Sequence, residues 1–396
     1  MIGGAVTVDT GDILGRTCIA SVLCVTACYS PRPGTGAPCP DGECPSPLVC
    51  SQATRTCELT DTPGDADVVP NDAPADVAMP TTDALACFGS GLSTICIVAP
   101  TGPLTVPMPT TLDTGTSPMC LPYSGTHPGE FCVIAGTTVD VTSTLVVRGA
   151  RPLVVIASGV LTISGTISVA SRRAGAIRGA GANPTVCGAP QAATAMEGGA
   201  GGSFGGRGGT GGLGEEAPPG PAAAPAVSTA TVLRGGCRGG NGTSGAGGDG
   251  GGALYLIAGG SIAIMGGTIN ASGAGGGRST ENNEGGGGGG SGGMIALEAP
   301  TVSNVGGQVF ANGGGGGGGN ESSEHGGEAM SALVAAPGGR DLDHSGDGGD
   351  GSAGATLTGG DGQDGTDGGG GGGAGAGVIR VFADQPIGGS VSPPPT

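Results

Sequence analysis

One recurring stretch constrains the fold of this chain more than any other feature. Residues 152–171, PLVVIASGVLTISGTISVAS, hold three short runs rich in Val, Ile, Leu and Thr, at 153–157, 160–163 and 166–170. Such residues suit a pleated, half-buried surface, so each run reads as a strand. Only Ser158-Gly159 and Ser164-Gly165 separate them. The pattern returns at 253–258, 261–264 and 267–272, again at 294–299, 301–305 and 307–312, and in shortened form at 378–383 and 389–392. These are four copies of a unit of roughly 20 residues, the size of a supersecondary repeat that must stack to bury its core.

The stretches between copies are too long for hairpins, so the copies should pair in parallel. Leu153, Leu254, Ile295 and Ile379 should then share one inner layer. The first strands are apolar on both faces and should be covered on both sides. In the third strand Thr166, Ser168 and Ala170 alternate with Ile167 and Val169, so one face should meet solvent or a glycine loop. The expected fold is all-β: a parallel β-helix or β-solenoid-like body with long glycine-rich inserts. The alternative is an antiparallel β-sandwich.

Glycine supplies 93 of the 396 residues, and most of it lies between the copies. There is no Trp, with three Tyr and five Phe, so a core must be built from thin aliphatic layers. In 198–213, GGAGGSFGGRGGTGGL, glycine pairs repeat nearly every three residues. That period suits an extended left-handed helix with three residues per turn, as in polyglycine II, and glycine faces would let such rods touch backbone to backbone. A flexible linker is the competing reading. The inserts should leave after Ser171, Ser272 and Asn312, on one face of the stack. They would form the contact face.

The N-terminal side divides into short pieces. Residues 1–28 read as an export signal: an apolar run, 17–27, follows Arg16 and is too short to span a bilayer. It ends in Val25-Thr-Ala-Cys28, which resembles the lipobox of bacterial lipoproteins, in which the cysteine carries the lipid. Residues 29–58 form a small segment containing Cys39, Cys44, Cys50 and Cys57, which needs disulfides because it has almost no core. The interleaved pairs Cys39–Cys50 and Cys44–Cys57 are favoured over zinc, since the spacing lacks a CxxC knuckle and there is no His nearby. Residues 59–86, built from Asp, Pro and Ala, read as a disordered linker. The body is 87–396. Within it, proximity pairs Cys87 with Cys96 and Cys120 with Cys132, and the two remaining cysteines, Cys187 and Cys237, clip the base of the first insert. Residues 100–118 read as loop and edge. So many paired cysteines imply an oxidising compartment.

Charge and motifs narrow the function. A net charge of −18 argues against nucleic-acid binding, which needs clustered cations. The glycine strings lack the Lys-Ser/Thr ending of phosphate loops. Residues 359–367, GGDGQDGTD, approach a calcium nonapeptide, with Asp361, Asp364 and Asp367 as weak calcium candidates. A solvated Asp-Gly loop is the default, so no cofactor is expected. His127, His325 and His344 show no nucleophile or orienting partner. Asp140, Arg148, Arg151, Arg172 and Arg173 read as charges on the outside of the repeats.

The combination of lipobox-like start, Cys-rich segment, Asp/Pro linker, "GGALYLIAGGSIAIMGGTINASGAGGG" and "GGGGGGSGGMIALEAP" resembles a family of glycine-rich secreted or lipid-anchored proteins of myxobacteria. The resemblance runs from about Cys87 to the end. It implies a bacterial cell-envelope protein and supplies no activity and no catalytic residues. The expectation is a non-enzymatic structural or adhesive lipoprotein of the outer membrane or cell surface. Its partners would be the membrane, through the lipid on Cys28, and surface glycans or other envelope proteins. A polysaccharide-acting β-helix lyase or hydrolase is the alternative.

Overall fold

The computed structural model describes residues 39, 43–44, 48–51, 55–59, 85–127, 129–215, 220–227, 230–341 and 344–396. The chain divides into two units, Met1–Ala78 and Met79–Thr396. The export segment 1–28, with Cys28, lies outside the described residues, as does most of the 59–86 linker.

In the first unit, β1 (Leu48–Cys50) pairs antiparallel with β2 (Cys57–Leu59). Disulfides Cys39–Cys50 and Cys44–Cys57 staple this hairpin. A segment of this size has too little apolar surface to hold itself together otherwise.

The second unit begins with an antiparallel hairpin, β3 (Leu85–Phe88) and β4 (Ile95–Val98), so the body starts slightly before Cys87. It continues through β5 (Leu104–Val106), β6 (Thr110–Asp113) and β7 (Ser124–Gly125). A first full repeat follows: β8 (Cys132–Gly136), β9 (Val139–Val141) and β10 (Thr144–Arg148). The second is β11 (Leu153–Ala157), β12 (Val160–Ile163) and β13 (Thr166–Ser168). The third is β14 (Ala253–Ala258), β15 (Ser261–Met265) and β16 (Thr268–Asn270). The fourth is β17 (Met294–Glu298), β18 (Thr301–Val305) and β19 (Gln308–Phe310). The last is shortened to β20 (Val378–Phe382) and β21 (Ser390–Ser392).

Each full repeat gives one strand to each of three parallel sheets, and the shortened last repeat gives one to each of two of them. Their orders are β20-β17-β14-β11-β8, β18-β15-β12-β9-β5 and β21-β19-β16-β13-β10-β6. Pairing between repeats is parallel throughout, so the antiparallel sandwich does not describe this body. One sequence reading needs correction. The repeat count of four omitted β8–β10, a complete repeat that carries no glycine insert. The reading of 100–118 as loop and edge holds: β5 and β6 extend two of the sheets at their edge, where the surrounding prolines cost no ladder hydrogen bond.

The core is a stack of aliphatic columns. Cys132, Leu153, Leu254, Ile295 and Ile379 are register neighbours along the first sheet. Val139, Leu161, Ile262 and Val302 align in the second, and Leu145, Ile167, Ile269 and Val309 in the third. All belong to one buried cluster. The opposite face of the first sheet makes a second core, in which Val154, Ile156, Tyr255 and Ile257 pack against Ile95, Ile97 and Phe131 from the lead-in and Phe204 from the first insert. Burial on both faces explains why these strands are continuous apolar runs. In the third sheet Phe310 is covered by Ala329, Ala332 and Ala336 of the last insert.

Candidate functional site

The glycine segments form the most distinctive arrangement in the molecule. Residues 286–293 have no side chain beyond Ser291, yet nearly every amide is spoken for. Gly286, Gly289 and Gly292 donate to Gly369, Gly372 and Gly375. Gly287, Gly290 and Gly293 donate to Gly277, Ala274 and Ala271, and Gly288 and Ser291 to Gly240 and Cys237. The donor direction thus rotates through three neighbours and repeats every third residue. The same segment accepts from Gly199 and Gly202, from Gly248 and Gly251, and from Gly314 and Gly317. Residues 369–377 behave alike, donating in threes to 196–202, 357–363 and 311–317. All three inserts are therefore woven into one hydrogen-bonded bundle.

Only glycine permits this spacing. A Cβ on Gly288 would lie 2.0 Å from the carbonyl oxygen of Ala200, and one on Gly371 2.0 Å from that of Gly287. The glycine faces are therefore buried against one another. The expectation that they form the contact face is corrected: what faces solvent is the set of tips between the glycine segments, including Glu281, Asn282, Glu321, Met330, Leu333 and Val334.

Aspartates finish the bundle's edge. The Thr210 amide donates to Asp361 Oδ1 at 2.7 Å, the Leu213 amide to Asp364 Oδ1 at 2.8 Å, and the Gly338 amide to Asp350 Oδ1 at 2.8 Å. Two of the calcium candidates are thus engaged with different backbone groups, and Asp361, Asp364 and Asp367 do not converge on one point. Among the described residues, the one group of three ligand-type side chains with atoms within 4.8 Å is Cys39, Cys44 and Cys50. Their sulfurs are committed to disulfides.

In the second unit Cys87 is bonded to Cys96 and Cys120 to Cys132, the pairs read from sequence proximity, and Cys187 to Cys237, the pair left by elimination. These bonds point to an extracytoplasmic, oxidising environment. Among the described residues no helix is long and apolar enough to cross a membrane.

The histidines are scattered. His127 Nδ1 lies 3.3 Å from Glu130, and His325 Nδ1 accepts the Arg278 amide at 3.0 Å. Burial, with Arg173 and Arg278 nearby, holds His325 below the usual histidine range. The His344 carbonyl accepts from Thr366. Of the charges near the strands, Arg148 pairs with Asp113 at 3.6 Å, Arg172 with Glu328 at 3.4 Å, and Arg151 donates to the Thr114 carbonyl at 2.7 Å. Asp140 lies in register between Thr105 and Thr162.

Sequence reading overlooked one polar cluster. Glu298, at the end of β17, accepts from the Ser90 amide at 2.7 Å, the Ser90 hydroxyl at 2.9 Å and the Gly91 amide at 3.0 Å. The Tyr255 hydroxyl donates to its second oxygen. This clasp ties the lead-in loop to the first sheet, and burial followed by the Glu298 carboxylate raises the Tyr255 phenol above its ordinary range. A lone carboxylate ending an apolar strand was the available signal.

No protein-family model matches the chain, and neither does any curated protein or solved structure.

Proposed function

We propose that the protein is a non-enzymatic cell-envelope protein, a rigid structural or adhesive support displayed outside the cytoplasm. In this reading the three parallel sheets coil as a β-solenoid, and the inserts beside them are polyglycine-II rods. The observation that carries it is the three-residue rotation of amide donors through 286–293 and 369–377, which matches a helix with three residues per turn. A bundle with backbone at its centre offers no side chains for chemistry. It does offer a stiff frame whose tips, between rods, face solvent. Those tips would contact surface glycans or other envelope proteins.

The rest of the proposal concerns address. Val25-Thr-Ala-Cys28 would supply a lipidated Cys28, and 59–86 would hold the body off an outer membrane. The paired cysteines support export. The test uses the full chain in a Gram-negative host. Surface labelling, membrane fractionation and adhesion of purified protein to isolated envelopes and glycans are compared for wild type and Cys28→Ala. The expected result is surface-exposed, detergent-soluble wild type, release of the variant, and binding without turnover. Release of product from a polysaccharide would overturn the reading in favour of a β-helix lyase or hydrolase. A cytoplasmic pool with reduced cysteines would overturn the address.

A further inference from the structure

A cavity of about 1150 Å³ lies beside the Cys187–Cys237 disulfide, between the lead-in, the turn joining the first and second repeats and two limbs of the first insert. Its size is slightly above the usual range of small-molecule sites, about 300–1,000 Å³. Phe131 and Leu233 are buried in its wall. Val186, Val227 and Val232 line it while remaining 69%, 46% and 37% exposed. Aliphatic side chains open to water make this groove the kind of surface that receives an apolar body.

Arg234 reaches the same groove. All fourteen basic residues of this acidic chain are arginine. The Arg234 guanidinium lies 4.2 Å from the centroid of the Phe204 ring. Its Nε donates to the Gly235 carbonyl at 3.3 Å, and Nη2 faces Cys237 Sγ at 3.1 Å and Cys187 Sγ at 3.7 Å. Sulfur is a weak acceptor. Among the described residues no carboxylate comes within ion-pair distance of it. The neighbouring arginines differ: Arg178 and Arg238 share Asp249, at 3.8 and 4.0 Å, and the Asn183 amide also donates to that carboxylate. Burial lowers the Arg234 pKa from its ordinary value, with no opposing anion to restore it. A half-buried cation without a counterion is costly unless something charged completes it.

We propose that this groove binds a small amphiphile, an aliphatic chain ending in one carboxylate, as in a fatty acid, with Arg234 holding the head group. The planar guanidinium suits a bidentate carboxylate. A multiply charged head is disfavoured, because Glu130 and Asp249 also line the groove. A sugar is disfavoured by the valine walls.

The test is calorimetric titration of the purified full chain with dodecanoate and with dodecanol, both below their aggregation limits. The expected outcome is saturable binding of one dodecanoate, with dodecanol weaker by about tenfold or more. Arg234→Gln should remove the difference between acid and alcohol. Val232→Asp, at a surface position, should weaken both, and peptide mapping of Cys187–Cys237 checks the fold of each variant. Equal affinity for acid and alcohol in the wild type overturns the proposal, as does an acid preference that survives in Arg234→Gln, or no saturable binding. The comparison within wild type stands even if a variant does not fold. Neither result depends on where the protein resides.

Discussion

At position 371 the chain has no room for even a methyl group, since a Cβ would sit 2.0 Å from the Gly287 carbonyl oxygen. Gly371→Ala should lower stability by about 1–3 kcal/mol in chemical denaturation, the range for overpacking. Gly102→Ala, where nothing lies within 4 Å of the added carbon, should be close to neutral. Equal effects at the two sites would mean that the bundle is loose. Gly316→Asp reads as harmless if the glycine segments are free chain, but a Cβ there would meet the Gly371 carbonyl at 1.9 Å, so it too should be strongly destabilising. Tyr255 gives a pH signature. Its folded pKa is raised, so the folded state keeps a proton that the unfolded state releases near pH 10. The clasp's contribution is complete below that pH and is lost as pH rises beyond it. Alkaline titration of stability should fall more steeply above about pH 10 in the wild type than in Tyr255→Phe.

Strands and their staples form the next scale. Ile295 is fully buried between Leu254 and Ile379 in the inner column. Ile295→Ala should cost about 2–5 kcal/mol, and Ile295→Asp should prevent folding, because a carboxylate there has no partner. The Cys187–Cys237 bond closes a sequence separation of 50 residues. Replacing both cysteines by serine should cost about 4 kcal/mol on chain-entropy grounds. Thermal unfolding of the double variant checks this, and an unchanged midpoint would show that the insert is held by its backbone hydrogen bonds alone. Strand type and pairing direction were readable from composition and from the length of the returns. The β8–β10 repeat was harder to see, because Cys132-Val-Ile-Ala-Gly136 lacks the glycine run that marks the later copies. β5 and β6 were obscured by their prolines, which only an edge position tolerates.

For the molecule as a whole, the decisive measurement is amide hydrogen exchange. Amides of 286–293 donate to carbonyls of three different segments. They should exchange as slowly as those of β14 and β17, although they belong to no strand. Exchange at the rate of free chain would refute the bundle.

Sequence alone determined the repeating strand, its aliphatic inner columns and the need for an oxidising compartment, because these rest on side-chain alternation and on cysteine spacing. It also determined the three-residue glycine period. Tertiary structure decided what that period is for. Hydrogen bonds such as Gly292 to Gly375 and Gly202 to Gly289 join residues far apart in the chain, and glycine carries no side chain to record its partner. The same holds for Arg234 and for Glu298. Each is an ordinary charge in the sequence, and its meaning comes from the groove or loop that a distant segment brings against it.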